Sequence, residues 1–148
     1  MLTQSQKDRL QLIHSYEWVT EVESETRSRL AQLYADVEST EELWFASFII
    51  VLDIDEGQLQ LVLDHPLCDR GIACLIYCGY ANYDSETSKQ LLKELESRLL
   101  NGYYKPKIRF NESLLHQGRT GRRRQVIYDS AGDLCLPLDY DEAVFGKT

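Results

Sequence analysis

The chain has 148 residues, 43% hydrophobic and 27% charged, a balance that fits one soluble domain and excludes a disordered tail, a collagen and a membrane bundle. Lys and Arg total 16 against 24 Asp and Glu, giving a formal net charge of -8 and a pI of about 4.9. An acidic chain repels phosphate backbones overall and attracts basic partners.

The first residues, MLTQSQKDRLQLIHSYEW, are polar and charged where a secretory signal carries an uninterrupted apolar stretch, so no export signal is expected. The most apolar run, Leu43 to Leu52, is ten residues long. A bilayer crossing needs about 20, so this run reads as a buried helix and no membrane partner is expected. Cys68, Cys74, Cys78 and Cys135 then read as reduced thiols of a cytoplasmic protein.

In chain order, Lys7 to His14 predicts a short helix or an extension of the next. From Glu17 to Val37 the spacing of Trp18, Val22, Leu30, Leu33, Tyr34 and Val37 predicts one apolar helical face, with Glu23–Arg27 and Glu25–Arg29 pairs on the wet side. Ser39 and Glu42 form a capping-box signature in front of Leu43 to Leu52, expected to be the most buried helix. Asp55 is placed to cap a helix carrying Leu59, Val62 and Leu63, which ends before Pro66 because His65 precedes a proline. Asp69 is placed to cap another, with Ile72, Ala73, Leu75 and Ile76 inward and Gly79 as its C-cap. The next starts at Asp84 or Ser85, carries Leu91, Leu92, Leu95, Leu99 and Leu100, and stops at Asn101-Gly102.

After Gly102 the runs YYKPKIRF and RQVIYD are short, β-branched or aromatic, and AGDL supplies turn chemistry. The expected fold is mainly α: a bundle of five or six helices over about 5–102, with a small β-hairpin or ribbon over about 103–138. Neither a repeat nor a linker divides the chain, so residues 1–148 read as one domain, a helical body over 1–102 and an irregular or β segment over 103–148.

The charge is unevenly spread. Residues 105–124 hold seven bases against Glu112 alone, and Arg119 with Arg122, Arg123 and Arg124 reads either as a solvated loop offsetting the acidic bundle or as a nucleic-acid or anion contact. The negative field elsewhere weighs against a nucleic-acid partner. Acids cluster at both ends of the Leu43 helix, with Glu41 and Glu42 before it and Asp53, Asp55 and Glu56 after it. These are either a solubilising surface or a face that docks a basic protein. Among nine tyrosines, Tyr77, Tyr80, Tyr83, Tyr103 and Tyr104 flank the Leu91 helix at both ends, as bundle closure or as interface residues.

His65, Cys68, Cys74 and Cys78 are the densest set of soft ligands, but their H-x2-C-x5-C-x3-C spacing lacks the paired knuckle of a structural zinc site, so packed core thiols are favoured. His14, His65 and His116 are scattered, and no nucleophile elbow, phosphate loop, zinc-protease motif or dinucleotide fingerprint is present. No catalytic residue, metal or cofactor is assigned, and a non-enzymatic protein is expected.

At HPLCDRGIACLIYCGY, residues 65–80, the chain resembles an uncharacterised bacterial helical domain family whose motif runs as Pro, one residue, Cys-Asp, one residue, Gly, then a small residue and an apolar helix. Pro66, Cys68, Asp69, Gly71 and Ala73 match it, and the resemblance extends over about residues 41–110. Ile72 departs from the Thr common at that position, and Cys78-Gly79 from an aromatic-rich stretch. The matched residues look architectural. The resemblance implies an immunity protein of a polymorphic or contact-dependent toxin system, with a cognate protein toxin as partner. An acidic, tyrosine-bearing face of Glu41, Glu42, Asp53, Asp55, Glu56, Tyr80 and Tyr83 is the expected docking surface.

Overall fold

A computed structural model describes residues 2–15, 24–52, 56–80 and 86–108. They are mainly helical, with six helices: α1 (Gln4–Ser15), α2 (Ser24–Ala35), α3 (Thr40–Leu52), α4 (Glu56–Leu63), α5 (Arg70–Tyr80) and α6 (Glu86–Leu100). No strand forms among the described residues, and of the expected ribbon only residues 103–108 are described. No helix among them is long and apolar enough to cross a membrane. Two compact units result, within Met1–Leu67 and within Cys68–Leu136.

In the first unit, α1 packs on α2 and α3, and α4 packs on α2 and α3. The apolar residues expected to face inward do so: Leu30, Tyr34 and Val37 are buried, as are Leu59, Val62 and Leu63 of α4. Helix α3 is buried at every position from Glu42 to Ser47. A stretch hidden on all sides cannot show an amphipathic stripe, which is why Leu43 to Ala46 reads as a continuous apolar run.

Two N-caps organise this unit, and the one at α1 is a full capping box. At the start of α3, the Glu42 N–H donates to Ser39 Oγ at 3.1 Å, as the sequence predicts. At the start of α1, Thr3 and Gln6 form the reciprocal box: the Gln6 N–H donates to Thr3 Oγ1 at 3.2 Å and the Thr3 N–H to Gln6 Oε1 at 2.9 Å. Gln6 Nε2 then donates to Ser39 Oγ at 3.3 Å, so the two caps are tied to each other.

Helix α2 stops earlier than its apolar spacing predicts. The Val37 N–H turns back to the Tyr34 carbonyl at 3.2 Å, an i to i-3 bond that tightens and ends the helix while Val37 stays in the core. Trp18 and Val22 lie outside the described residues, as do Asp55, 16–23 and 53–55 as a whole.

In the second unit, α5 packs on α6. Ile72, Ala73, Leu75 and Ile76 are buried, as are Leu91, Leu95 and Leu99, while Leu100 is 44% exposed. Helix α5 runs through Gly79 to Tyr80, so Gly79 is not its C-cap. The end of α6 follows the sequence closely. Gly102 adopts φ +70°, its N–H donates to the Leu99 carbonyl at 3.5 Å, and the Tyr103 N–H donates to the Arg98 carbonyl at 2.9 Å. These are the two bonds of a Schellman cap.

Residues 103–108 are fastened to the first turn of α5. Asp69 Oδ1 accepts the Ile72 N–H at 2.9 Å as the expected N-cap, and its Oδ2 accepts the N–H of Lys107 at 3.2 Å and that of Ile108. The Arg70 N–H donates to the Lys105 carbonyl at 2.9 Å, and Arg70 Nη1 to the Leu99 carbonyl at 2.8 Å. Gly71 makes this approach possible: a Cβ there would lie 2.4 Å from the Ile108 carbonyl oxygen.

Candidate functional site

The acids assigned to a docking face divide into different roles. Glu41 is half-buried in the first turn of α3. Glu42 is 0% exposed, and both its oxygens are taken: Arg9 Nε donates to Oε2 at 2.7 Å, Arg9 Nη2 to Oε1 at 2.9 Å, and the Glu38 N–H to Oε1 at 3.1 Å. Glu42 therefore does not belong to a docking face. A charge inside a fold needs a paired, hydrogen-bonded partner, and α1 supplies it. The Glu42 hydrogen bond also raises the Arg9 guanidinium above its ordinary value. Glu56 opens α4 and Tyr80 closes α5, while Asp53, Asp55 and Tyr83 lie outside the described residues, as do Arg119 and Arg122 to Arg124.

The tyrosines are not one class. Tyr77 is 1% exposed and donates its hydroxyl to Glu96, a core residue rather than a closing aromatic with a wet hydroxyl. Tyr104 is 4% exposed, and burial raises its phenol above the ordinary value although Arg98 Nη1 donates to its oxygen at 3.1 Å. Tyr103 is 62% exposed, stands edge-on to Tyr104 and carries the Arg98 guanidinium 4.8 Å from its ring centre. Cys68 and Cys74 are buried free thiols, as packed core cysteines are expected to be.

Asp69 is buried, and burial raises its carboxyl above the ordinary carboxylate value against the pull of its backbone N–H donors. Its role is architectural, like that of Gly71. Pro66 follows the end of α4, so the motif residues 66–71 end one helix and start the next.

One surface feature was not legible in the sequence: an open groove of about 710 Å³ between α2 and α4. One wall is the C-terminal half of α2, where Ala31 and Ala35 form a low lip at i, i+4 and Tyr34 forms the floor. The other is Leu61 and Asp64 with the turn His65-Pro66-Leu67. Tyr34 joins the walls from beneath by donating its hydroxyl to Gln58 Oε1 at 2.9 Å. His65 joins them at the end: Nδ1 accepts the Leu67 N–H at 3.0 Å, leaving Nε2 as the donor to the Tyr34 carbonyl at 2.8 Å.

The charge around the groove has one sign where the two helices finish. Asp36 directly follows α2 and Asp64 directly follows α4. Gln32 Nε2 holds Asp36 at 2.9 Å and Gln60 Nε2 holds Asp64 at 2.8 Å, each from one turn earlier. Counted over the sequence, residues 1–67 carry 13 acids and 4 bases, a net of -9, and residues 68–136 carry 8 acids and 11 bases, a net of +3. The acidity is thus a property of the unit that holds the groove.

Comparison with known proteins finds no matching family model, curated protein or solved structure. The resemblance at residues 65–80 stands on those residues alone.

Proposed function

We propose that this chain is a cytoplasmic, non-enzymatic immunity protein that binds and neutralises a basic protein toxin, such as a nuclease domain. The observation that carries this reading is the net charge of -9 on residues 1–67, in a helical unit that also presents an open apolar groove. Apolar surface supplies affinity and charge supplies encounter rate and selectivity, so the combination suits a basic protein better than a polyanion. The motif at residues 65–80 adds the biological setting through its resemblance to immunity proteins.

Purification with the basic domain encoded immediately upstream tests it. A stable complex and restored growth of cells expressing that domain are expected; no complex and no protection overturn the reading. Charge reversal at Glu41, Asp53, Asp55 and Glu56 slows association and flattens its salt dependence if these acids steer the partner. An unchanged association rate moves the contact elsewhere. Glu42 is left out of the series because it holds the fold.

A second reading rests on the +3 of residues 68–136 and the bases Arg119 and Arg122 to Arg124, as a nucleic-acid or anion contact. It requires binding that weakens steeply with salt, and a flat gel-shift titration at low salt removes it.

A further inference from the structure

We propose that the groove between α2 and α4 receives an amphipathic helix of the partner protein, its apolar side on Ala31, Ala35, Leu61 and Leu67 and a lysine or arginine beside Asp36 and Asp64. This rests on the protein-binding reading and gives it a location.

The shape comes from the walls. Ala31 and Ala35 lie at i, i+4 on α2, and Gln60 on α4 lies at i, i+4 with Asp64, which closes its last turn through a 3.0 Å bond from its N–H to the Gln60 carbonyl, so each wall presents a ridge of the kind that a third helix packs along. Small side chains on the α2 ridge let the incoming backbone approach closely. Neither wall is a strand, so an extended peptide finds no ladder of open backbone groups there. The lining is apolar apart from Gln60, Asp64 and the Tyr34 and His65 polar atoms, and the ring of His65 already serves the fold.

The charge comes from the helix ends. A helix C-terminus carries partial negative charge, and a carboxylate there opposes the dipole. Both α2 and α4 end at the groove with an aspartate in that position. Asp64 lines the groove at this end, Asp36 stands next to the lining residue Ala35, and each keeps its glutamine partner one turn earlier, so a cation here would meet charge already held in place. At the other end of the α2 wall stands Arg27, exposed and one turn before Ala31. The groove is therefore polar along its length, which fixes the direction of the occupant: its cationic end lies toward Asp36 and Asp64.

The probe is a fluorescein-labelled helical peptide of about three turns, with leucines on one face and lysines at one end, beside a twin with glutamates for the lysines. The lysine peptide is expected to bind the intact protein about tenfold or more tightly than its twin, with affinity falling as salt rises. Ala35→Arg, and separately Asp36→Lys with Asp64→Lys, weaken it by a similar factor, while Glu25→Lys in the first turn of α2 leaves it unchanged. Far-UV circular dichroism establishes that the variants are folded. On the unmodified protein, amide shifts centred on Ala31, Ala35, Leu61 and Leu67 support the proposal. Equal binding of the two peptides, variants that bind like the parent, or shifts centred elsewhere overturn it. A toxin complex that forms equally well with Ala35→Arg removes the groove and leaves the immunity reading standing. Absence of any toxin complex, with peptide binding retained in the groove, removes only the immunity reading.

Discussion

Gly71→Ala sets two physical effects against each other with opposite signs. Gly71 sits in the first turn of α5, and on helix propensity alone alanine stabilises by about 1 kcal/mol. The added methyl, however, lies 2.4 Å from the Ile108 carbonyl oxygen, 2.9 Å from its Cβ and 3.0 Å from its carbonyl carbon. Two of these three atoms are backbone, so no rotamer change relieves the overlap. Residues 105–108 must retreat by about 1 Å to reach ordinary contact. If they shift and hold, overpacking costs about 1–3 kcal/mol. If they detach, three hydrogen bonds are lost, from Arg70 to Lys105 and from Lys107 and Ile108 to Asp69, at about 1 kcal/mol each. The fully buried Ile108 side chain adds about 2 kcal/mol. After the propensity gain, the expected net loss is about 0–2 kcal/mol if the segment holds and about 4 kcal/mol if it detaches. Urea unfolding followed by circular dichroism measures it, and hydrogen exchange at the Lys107 and Ile108 amides shows whether the segment has come away. A variant more stable than the parent by about 1 kcal/mol refutes the reasoning, because propensity alone would then have decided the outcome.

Four further results are expected. Gly102→Ala meets no atom within 4 Å and suffers only from φ +70°, so its loss in urea unfolding is about 1 kcal/mol. Glu42→Ala leaves the Arg9 guanidinium only the longer contact to Glu38 and lowers stability by up to about 3 kcal/mol, whereas Arg9→Met with Glu42→Leu costs clearly less; equal losses for the two would refute the buried-pair account. Because burial raises the Asp69 carboxyl, its contribution to stability is full below its ordinary value of 3.8 and is lost as pH rises through the folded value. The stability difference between the parent and Asp69→Asn therefore falls with pH across that window, and a rise there means that the N–H donors outweigh burial. Cys68 and Cys74 react with iodoacetamide only as fast as the protein opens, so fast labelling of the folded state that peptide mass mapping places on either of them refutes their burial.

What the sequence reveals is mostly local chemistry. Ser39 before Glu42, Asp69 before Ile72, the proline after His65 and Asn101-Gly102 each act on neighbours within a turn, and each marks a helix end that the structure contains. Gly79 misleads because a glycine permits a helix end without requiring one, and the apolar face of α5 carries the helix to Tyr80. Long-range pairing is where the reading stops. Glu42 looks like a surface acid until Arg9, 33 residues earlier, is placed against it. Gly71 looks like part of a helix start until residue 108 is laid across it. The groove is harder still, since Ala31, Ala35 and Leu61 read as ordinary helical residues and become walls only when α2 and α4 lie side by side. Of the expected docking face, only Glu41 and Glu42 have described side chains, and the second is a core residue.

His65 gives the groove a thermodynamic character as well as a shape. Its ring accepts one backbone N–H and donates to one backbone carbonyl, one on each wall, so the distance between the walls is set before any partner arrives. A cradle that is already ordered loses little conformational entropy when it is filled. On the proposed docking, variants of the partner helix differ chiefly in how long they stay, with encounter left to the aspartates at the helix ends.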